Sequence, residues 1–342
     1  MNQAFLSFFF RVFVQIILVW LATSICFAED TSRIKRYKKH IAFAVNVTQF
    51  NMDANLVNEQ SKKSIHYRTA AATRLGASFD YRWLGVEVFT QLPIGKSQVK
   101  EKGQTNTNGV FISLNRSRYC ANITYQNFKG FYWSNPDETA TLLSKQGYPK
   151  RPDISNRLVN FSGYYIFSPN RFSTMGAHGK NERQHKSGGS FFAGIGFSSN
   201  KIKGDTVLVP TSQRENFEGS RQIQGVNCWL YHLSGGYAYT FVFKRQWFAS
   251  LYLIPGIAYF SATEVDIYGN KKAGKGRGSI RFENRVSIGY NSDKYFAGVW
   301  YAAFQNNQRL GPATSFSYGL QSFRVYVGRR FQMKKQLGYL GL

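Results

Sequence analysis

The densest chemical pattern in the chain is Arg281-Phe282-Glu283-Asn284-Arg285. Side chains at alternate positions of a strand share a face, so a β conformation sets one carboxylate between two guanidiniums. The same alternation puts Arg74, Asp80, Glu87, Arg324 and Arg330 on the polar faces of their own segments. Such charges persist away from water when paired, which gives a structural network. Lined along a passage they give a charge ring, and the excess of Arg selects anions.

Other constellations carry less. His178, Glu182 and His185 have spacings that converge on a helix but not on a strand, and their segment contains Gly176 and Gly179. A polar plug or loop is the expected form, and no metal ligand is assigned. No spacing joins a Ser to a His and a carboxylate, so no catalytic residue and no cofactor is expected. The basic run Lys271 to Gly278 lacks the Gly-Lys-Ser/Thr of a phosphate loop. Glycosylation-type triplets at Asn46, Asn122 and Asn160 fall on expected strands and are read as chance. Cys120 and Cys228 are expected to be independent buried thiols.

The elements that must position the charges are strands. The last one, Phe323 to Phe331, alternates Phe323, Val325, Val327, Arg329 and Phe331 against Arg324, Tyr326, Gly328 and Arg330. A terminal strand with one greasy face and a closing aromatic is expected of an outer-membrane barrel. Phe323, Val325, Val327 and Phe331 would be its barrel-assembly signal. Arg329 would snorkel at the interface. A charge facing mid-bilayer lipid costs about 2–4 kcal/mol, so the charged faces are expected inside.

Alternation marks twelve strands in all, around 41–48, 74–81, 84–88, 110–114, 119–126, 159–167, 187–200, 223–243, 246–261, 279–291, 294–305 and 315–331. Short turns fall at 82–83, 115–117, 168–170, 244–245 and 292–293. Long polar loops fall at 53–68, 96–108, 129–152, 201–222, 262–278 and 306–314. That rhythm places the short turns in the periplasm and the long loops outside. Segment 171–186 has no apolar face and is expected to fold inward or over a mouth. The fold class is therefore all-β: a transmembrane antiparallel up-and-down barrel of about 12 strands, with 14 as the alternative.

The ends of the chain fit export. Arg11, an apolar stretch to Ala22 and a small-x-small close at Ala28 make a signal peptide over 1–28. A basic segment, 29–39, precedes a barrel domain at 40–331, and 332–342 form a tail. Aromatic residues reach 17%, which suits a lipid face and interfacial girdles. Net charge is +26. In an exported chain this points away from nucleic acid and toward an anionic membrane surface, including lipopolysaccharide phosphates.

Several blocks resemble a family of exported proteins known as domain-of-unknown-function family 4421. They are Arg151-Pro152-Asp153, Glu182 to Phe191, Lys203-Gly204-Asp205, Tyr237 to Lys244 and Gly289 to Gly298. The resemblance implies an outer-membrane β-barrel of Gram-negative bacteria and carries over no catalytic residue. The tail after Phe331 departs from the pattern. The expected function is a passive channel or a barrel binding small solutes or lipid, with basic external loops. The alternatives are a non-conducting structural or surface-interaction barrel and an outer-membrane lipid-modifying enzyme. Expected partners are outer-membrane lipids and the barrel-assembly machinery.

Overall fold

The computed structural model describes residues 33–333 except 71, 139, 141–146, 179, 275 and 310–313. The signal peptide assigned to 1–28 and residues 334–342 of the tail lie outside the described residues. The elements in chain order are β1 (Ile34–Arg36), β2 (His40–Asn58), β3 (Ser64–Arg68), β4 (Ala72–Tyr81), β5 (Leu84–Gln91), helix α1 (Lys96–Lys102), β6 (Asn106–Asn115), β7 (Tyr119–Trp133) and β8 (Lys150–Ile166). Then follow β9 (Glu182–Gln184), β10 (Gly188–Lys203), β11 (Ile223–Phe243), β12 (Trp247–Asp266), β13 (Lys271–Ala273), β14 (Arg277–Asn291), β15 (Tyr295–Arg309) and β16 (Thr314–Gln332).

Twelve of these form an antiparallel ring in sequence order: β2, β4, β5, β6, β7, β8, β10, β11, β12, β14, β15 and β16. The first and last strands close it, pairing His40 with Gln332 at one end and Asn58 with Thr314 at the other. Closure removes both sheet edges, so every wall strand has a hydrogen-bonded neighbour on each side. The shorter β3 and β13 lie on the rim, paired to β2 and β12. Twelve is thus the strand count of the wall. Fourteen fails because 171–186 does not span: only Glu182–Gln184 is a strand, and it pairs with β1 outside the ring.

The strands are longer than alternation alone suggests. Loop 53–68 is largely the continuation of β2 and the hairpin partner β3, and loop 129–152 shortens to 134–149. The extra residues alternate too, but their apolar members face inward. Met52, Ala54, Leu56, Ile65 and Tyr67 are buried, so the outward polarity mimics a loop. Gly130 marks a bulge in β7, where the register shifts between Lys129 and Phe131. Its φ is +95° and an added Cβ would sit 2.1 Å from the Gln104 carbonyl, so only glycine fits. The bulge re-aims Phe131 and Trp133 into the interior.

Inside and outside are sharply different. On β16 the outward residues Phe323, Val325, Val327 and Phe331 are 48%, 48%, 60% and 47% exposed, while Tyr326 and Arg330 are buried. On β11 the exposed apolar residues run from Leu233 to Phe243, and on β12 from Trp247 to Tyr259. A spanning strand needs about 9–11 residues, which these runs supply. Phe243, Trp247, Tyr295 and Phe331 are exposed aromatics beside the short turns. Arg329 lies among them, its guanidinium 5.4 Å from the Tyr295 ring centroid and 5.0 Å from that of Phe331.

Candidate functional site: a lumen stoppered at both ends

The segment after β8 turns back into the barrel instead of crossing it. Phe172, Met175, Ala177, Asn181 and Glu182 are buried, and the segment is tied to several strands at once. Asn181 Nδ2 donates to the Asp80 carbonyl at 2.7 Å and Ser287 Oγ to the Ala177 carbonyl at 2.7 Å. Arg330 Nε donates to the Lys180 carbonyl at 2.7 Å. Polar inward residues are what a polar plug needs, which is why the segment carries no greasy face.

β1 straps this plug from outside. Its strand pairing with β9 aligns Arg36 with Glu182, and their side chains form an ion pair at 2.9 Å. Ser173 donates to the other carboxylate oxygen of Glu182. Next along, the Tyr37 hydroxyl donates to Asp293 Oδ1 at 2.6 Å, joined by Lys35 Nζ at 2.9 Å and Arg183 Nη1 at 3.1 Å. Asp293 lies in the β14–β15 turn. The hydrogen bond from Tyr37, then that from Lys35, hold its carboxyl well below the usual range. Burial, then the bond to Asp293, pushes the Tyr37 phenol up to about 12.

The opposite mouth is filled by an apolar cluster. Leu208, Val209 and Phe217, from the loop between β10 and β11, pack with Phe50, Leu56, Phe128, Trp133, Ile154, Phe260, Phe316 and others drawn from most of the ring. The loop is held by two of the sequence blocks noted above. Arg151 makes a two-point pair with Asp153, both at 2.8 Å, and also donates to Thr206 Oγ1 at 3.1 Å. The Asp205 N–H donates to Asp153 at 3.2 Å. A Cβ on Gly204 would stand 2.7 Å from the Thr206 carbonyl and 3.0 Å from Arg151 Nη2. Glycine there allows the close approach.

Between the stoppers lies a cavity of about 190 Å³. The sequence-identified charges stand on its walls or just behind them. Glu283 accepts from Arg281 Nη2 at 2.7 Å and from Arg285 Nε at 2.7 Å. Glu87 accepts from Asn46 Nδ2 at 2.6 Å and from Arg324 Nη1 at 2.9 Å. Asp80 pairs with Lys180 Nζ of the plug at 2.9 Å. Arg74 is fully buried, and among the described residues no carboxylate pairs with it. It donates to Thr107 and stacks 4.1 Å from the Phe50 centroid, with Phe89 and Phe128 beyond. The charges therefore form separate pairs rather than one continuous ring.

Alternation in the sequence places the wall charges but not their plug partners. Lys180, Tyr252 and Trp300 carry no local mark, and the spacing of His178 points to a plug or loop without its partners. His178 lines the cavity, stacked on Tyr252 at 6.3 Å and edge-on to Trp300 at 6.1 Å. Burial, then the charges of Lys180, Arg285 and Arg324, holds its imidazole neutral, well below the usual range. Glu182 is engaged by Arg36 and not by His178. No cluster of three metal-ligating side chains occurs among the described residues. Cys120 and Cys228 are buried and free. Asn46 is held by Glu87, and Asn122 and Asn160 line the cavity. The basic run 271–278 is exposed at its described ends on the rim.

Comparison with solved structures finds distant barrels. The toluene transporter TodX of P. putida is 8% identical over 85% of this chain and 90% of its own, with a TM-score of 0.30. OmpT, an outer membrane protein of Vibrio cholerae, is 8% identical over 86% and 99%, with a TM-score of 0.30. Ail, the attachment invasion locus protein of Yersinia pestis, is 8% identical over 85% and 99%, with a TM-score of 0.21. At these scores they carry no inference about the site. No curated protein matches the chain. The model of the family described as Domain of unknown function (DUF4421) matches residues 28–331, which take in the strap and all of the ring but its final residue. The chain belongs to that family.

Proposed function

We propose that this chain is an outer-membrane barrel that holds a small solute in a lumen stoppered at both ends. The membrane part of the reading rests on the outward belt. Exposed Phe, Val, Leu, Ile, Trp and Tyr residues occur on most strands of the ring. A soluble monomer rarely exposes contiguous apolar patches beyond a few hundred Å². Inward charge with outward hydrocarbon is the arrangement that lipid outside and water inside favour. The short turns and the strap then face the periplasm and the long loops face outward. Exposed Lys62, Lys63, Lys96, Lys100, Lys271 and Lys272 on those loops would meet lipopolysaccharide phosphates.

The observation that carries the solute part is the cavity between plug and apolar mouth. A passive channel needs a continuous wet path, and the described residues place packed side chains at both ends. Opening then requires a stopper to move. No step in this reading is catalytic. The second reading, a non-conducting structural barrel, is favoured by the pairing of Asp80, Glu87 and Glu283 within the lumen. Conductance of the refolded chain in planar bilayers separates these from a passive pore. The expected result is no steady current in the wild type and discrete openings when Asp293→Asn and Tyr37→Phe loosen the strap. A steady wild-type current overturns the stoppered reading. A lumen that stays silent in the strap variants and takes up no solute supports the structural one.

A further inference from the structure

We propose that the mid-barrel cavity is a binding site for a small aromatic carboxylate, its carboxylate met by Arg285 and Arg324 and its ring by the aromatic wall. This rests on the solute-holding reading and names the class of solute.

The charge balance selects an anion. Around the cavity Arg281, Arg285, Arg324 and Lys180 pair with Glu283, Glu87 and Asp80, so among these groups the cations outnumber the carboxylates. Arg285 spends Nε and Nη2 on Glu283 and Arg324 spends Nε and Nη1 on Thr48 and Glu87. Among the described residues, Arg285 Nη1 and Arg324 Nη2 have no hydrogen-bond partner. Both residues line the cavity, and neither nitrogen is sealed from it. Guanidinium N–H groups recognise carboxylates by charge-assisted bonds that strengthen in a low-dielectric enclosure. A cation placed there would meet the surplus positive charge.

The walls select a ring. Tyr164, Phe172, Tyr252 and Trp300 face the same space, with Arg285 5.7 Å from the Tyr164 centroid and Arg324 5.2 Å from that of Trp300. Each donor therefore lies beside an aromatic face. A ligand with a flat apolar body and an anionic end satisfies both at once. The limited volume and the two stoppers exclude a long acyl chain or a polymer. Water alone would solvate the two nitrogens but leave the aromatic walls poorly covered.

The full mature chain, refolded in detergent in the presence of each probe so that access is not limiting, is titrated with benzoate, benzyl alcohol and inorganic phosphate. Benzoate is expected to bind at least tenfold more tightly than either of the others. Arg285→Gln and Arg324→Gln should each weaken it by tenfold or more. Since those changes disturb ion pairs, Ala302→Phe, which fills the wall opposite Arg285 without removing a charge, is the second variant. It should abolish benzoate binding while the barrel still resists heat in detergent. Equal binding of benzyl alcohol overturns the anion assignment and leaves the solute-holding barrel standing. Phosphate binding as tightly as benzoate overturns the aromatic assignment. Full benzoate affinity in a folded Ala302→Phe overturns the location. Absence of binding by all three probes overturns the inference and the reading beneath it.

Discussion

Lys180 Nζ lies 2.9 Å from Asp80 Oδ1, joining the plug to the barrel wall across 100 positions of sequence. Asp80 is on β4 and Lys180 follows the short helical turn 176–178, so the pair fixes the plug in the lumen as well as neutralising both charges. Removing one partner of a buried pair leaves an uncompensated charge and costs on the order of 3 kcal/mol. Asp80→Asn is therefore expected to free the plug more than to unfold the ring. Limited proteolysis should cut 171–186 faster while the wall strands stay protected. Equal cutting in both proteins counts against the tether.

Glu283 is the shared acceptor of Arg281 and Arg285. Glu283→Ala strands two inward guanidiniums and is expected to cost about 3–5 kcal/mol, read as a lower urea midpoint on refolding into lipid. Bilayer conductance should not change, because both stoppers remain. A stable variant that conducts would make the pair a gate.

The strap at Tyr37 and Asp293 should depend on pH at both extremes. Burial and the bond to Asp293 favour the neutral phenol, raising it to about 12. Its contribution is complete below the unfolded value of about 10 and is lost as pH climbs toward 12. The Asp293 carboxylate is favoured in its charged form, so its contribution is complete above about pH 4 and is lost as pH falls through its lowered folded value. Hydrogen exchange at residues 34–37 should stay slow from about pH 4 to 10. Tyr37→Phe should remove the alkaline limb and, by taking away the leading support of the Asp293 carboxylate, move the acid limb to higher pH.

Phe217 is fully buried in the apolar mouth. Phe217→Ala is expected to cost about 3–5 kcal/mol and to expose the 204–222 loop to protease. With the plug still seated below, the variant should remain non-conducting. Current from this single change would show that the plug does not seal.

Val325 faces outward in the middle of the closing strand. Val325→Arg should lower stability in lipid by about 2–4 kcal/mol, whereas Phe331→Arg, beside the short turns, should cost about 0–1 kcal/mol. Equal costs at the two positions would argue against a lipid belt centred on Val325.

What the sequence determined about this protein is local. Period-two alternation needs only neighbouring residues, so it located all twelve wall strands and sorted Phe323, Val325 and Val327 from Arg324. It also marked 171–186 as lacking a lipid face. It underread β2, β3 and β7 near the mouth, because there the apolar side faces inward onto Leu208 and Phe217 and the polar side faces out.

The pairings were decided by tertiary structure alone. Closing the ring and folding the plug bring Lys180 to Asp80, Arg324 to Glu87 and Tyr37 to Asp293, contacts whose members lie 100 or more positions apart. No periodicity records such distances. The Arg281-Glu283-Arg285 triad was legible because a single strand holds all three. The aromatic wall that Tyr252 and Trp300 share with His178 was not, because it forms only where three separate segments meet inside the barrel.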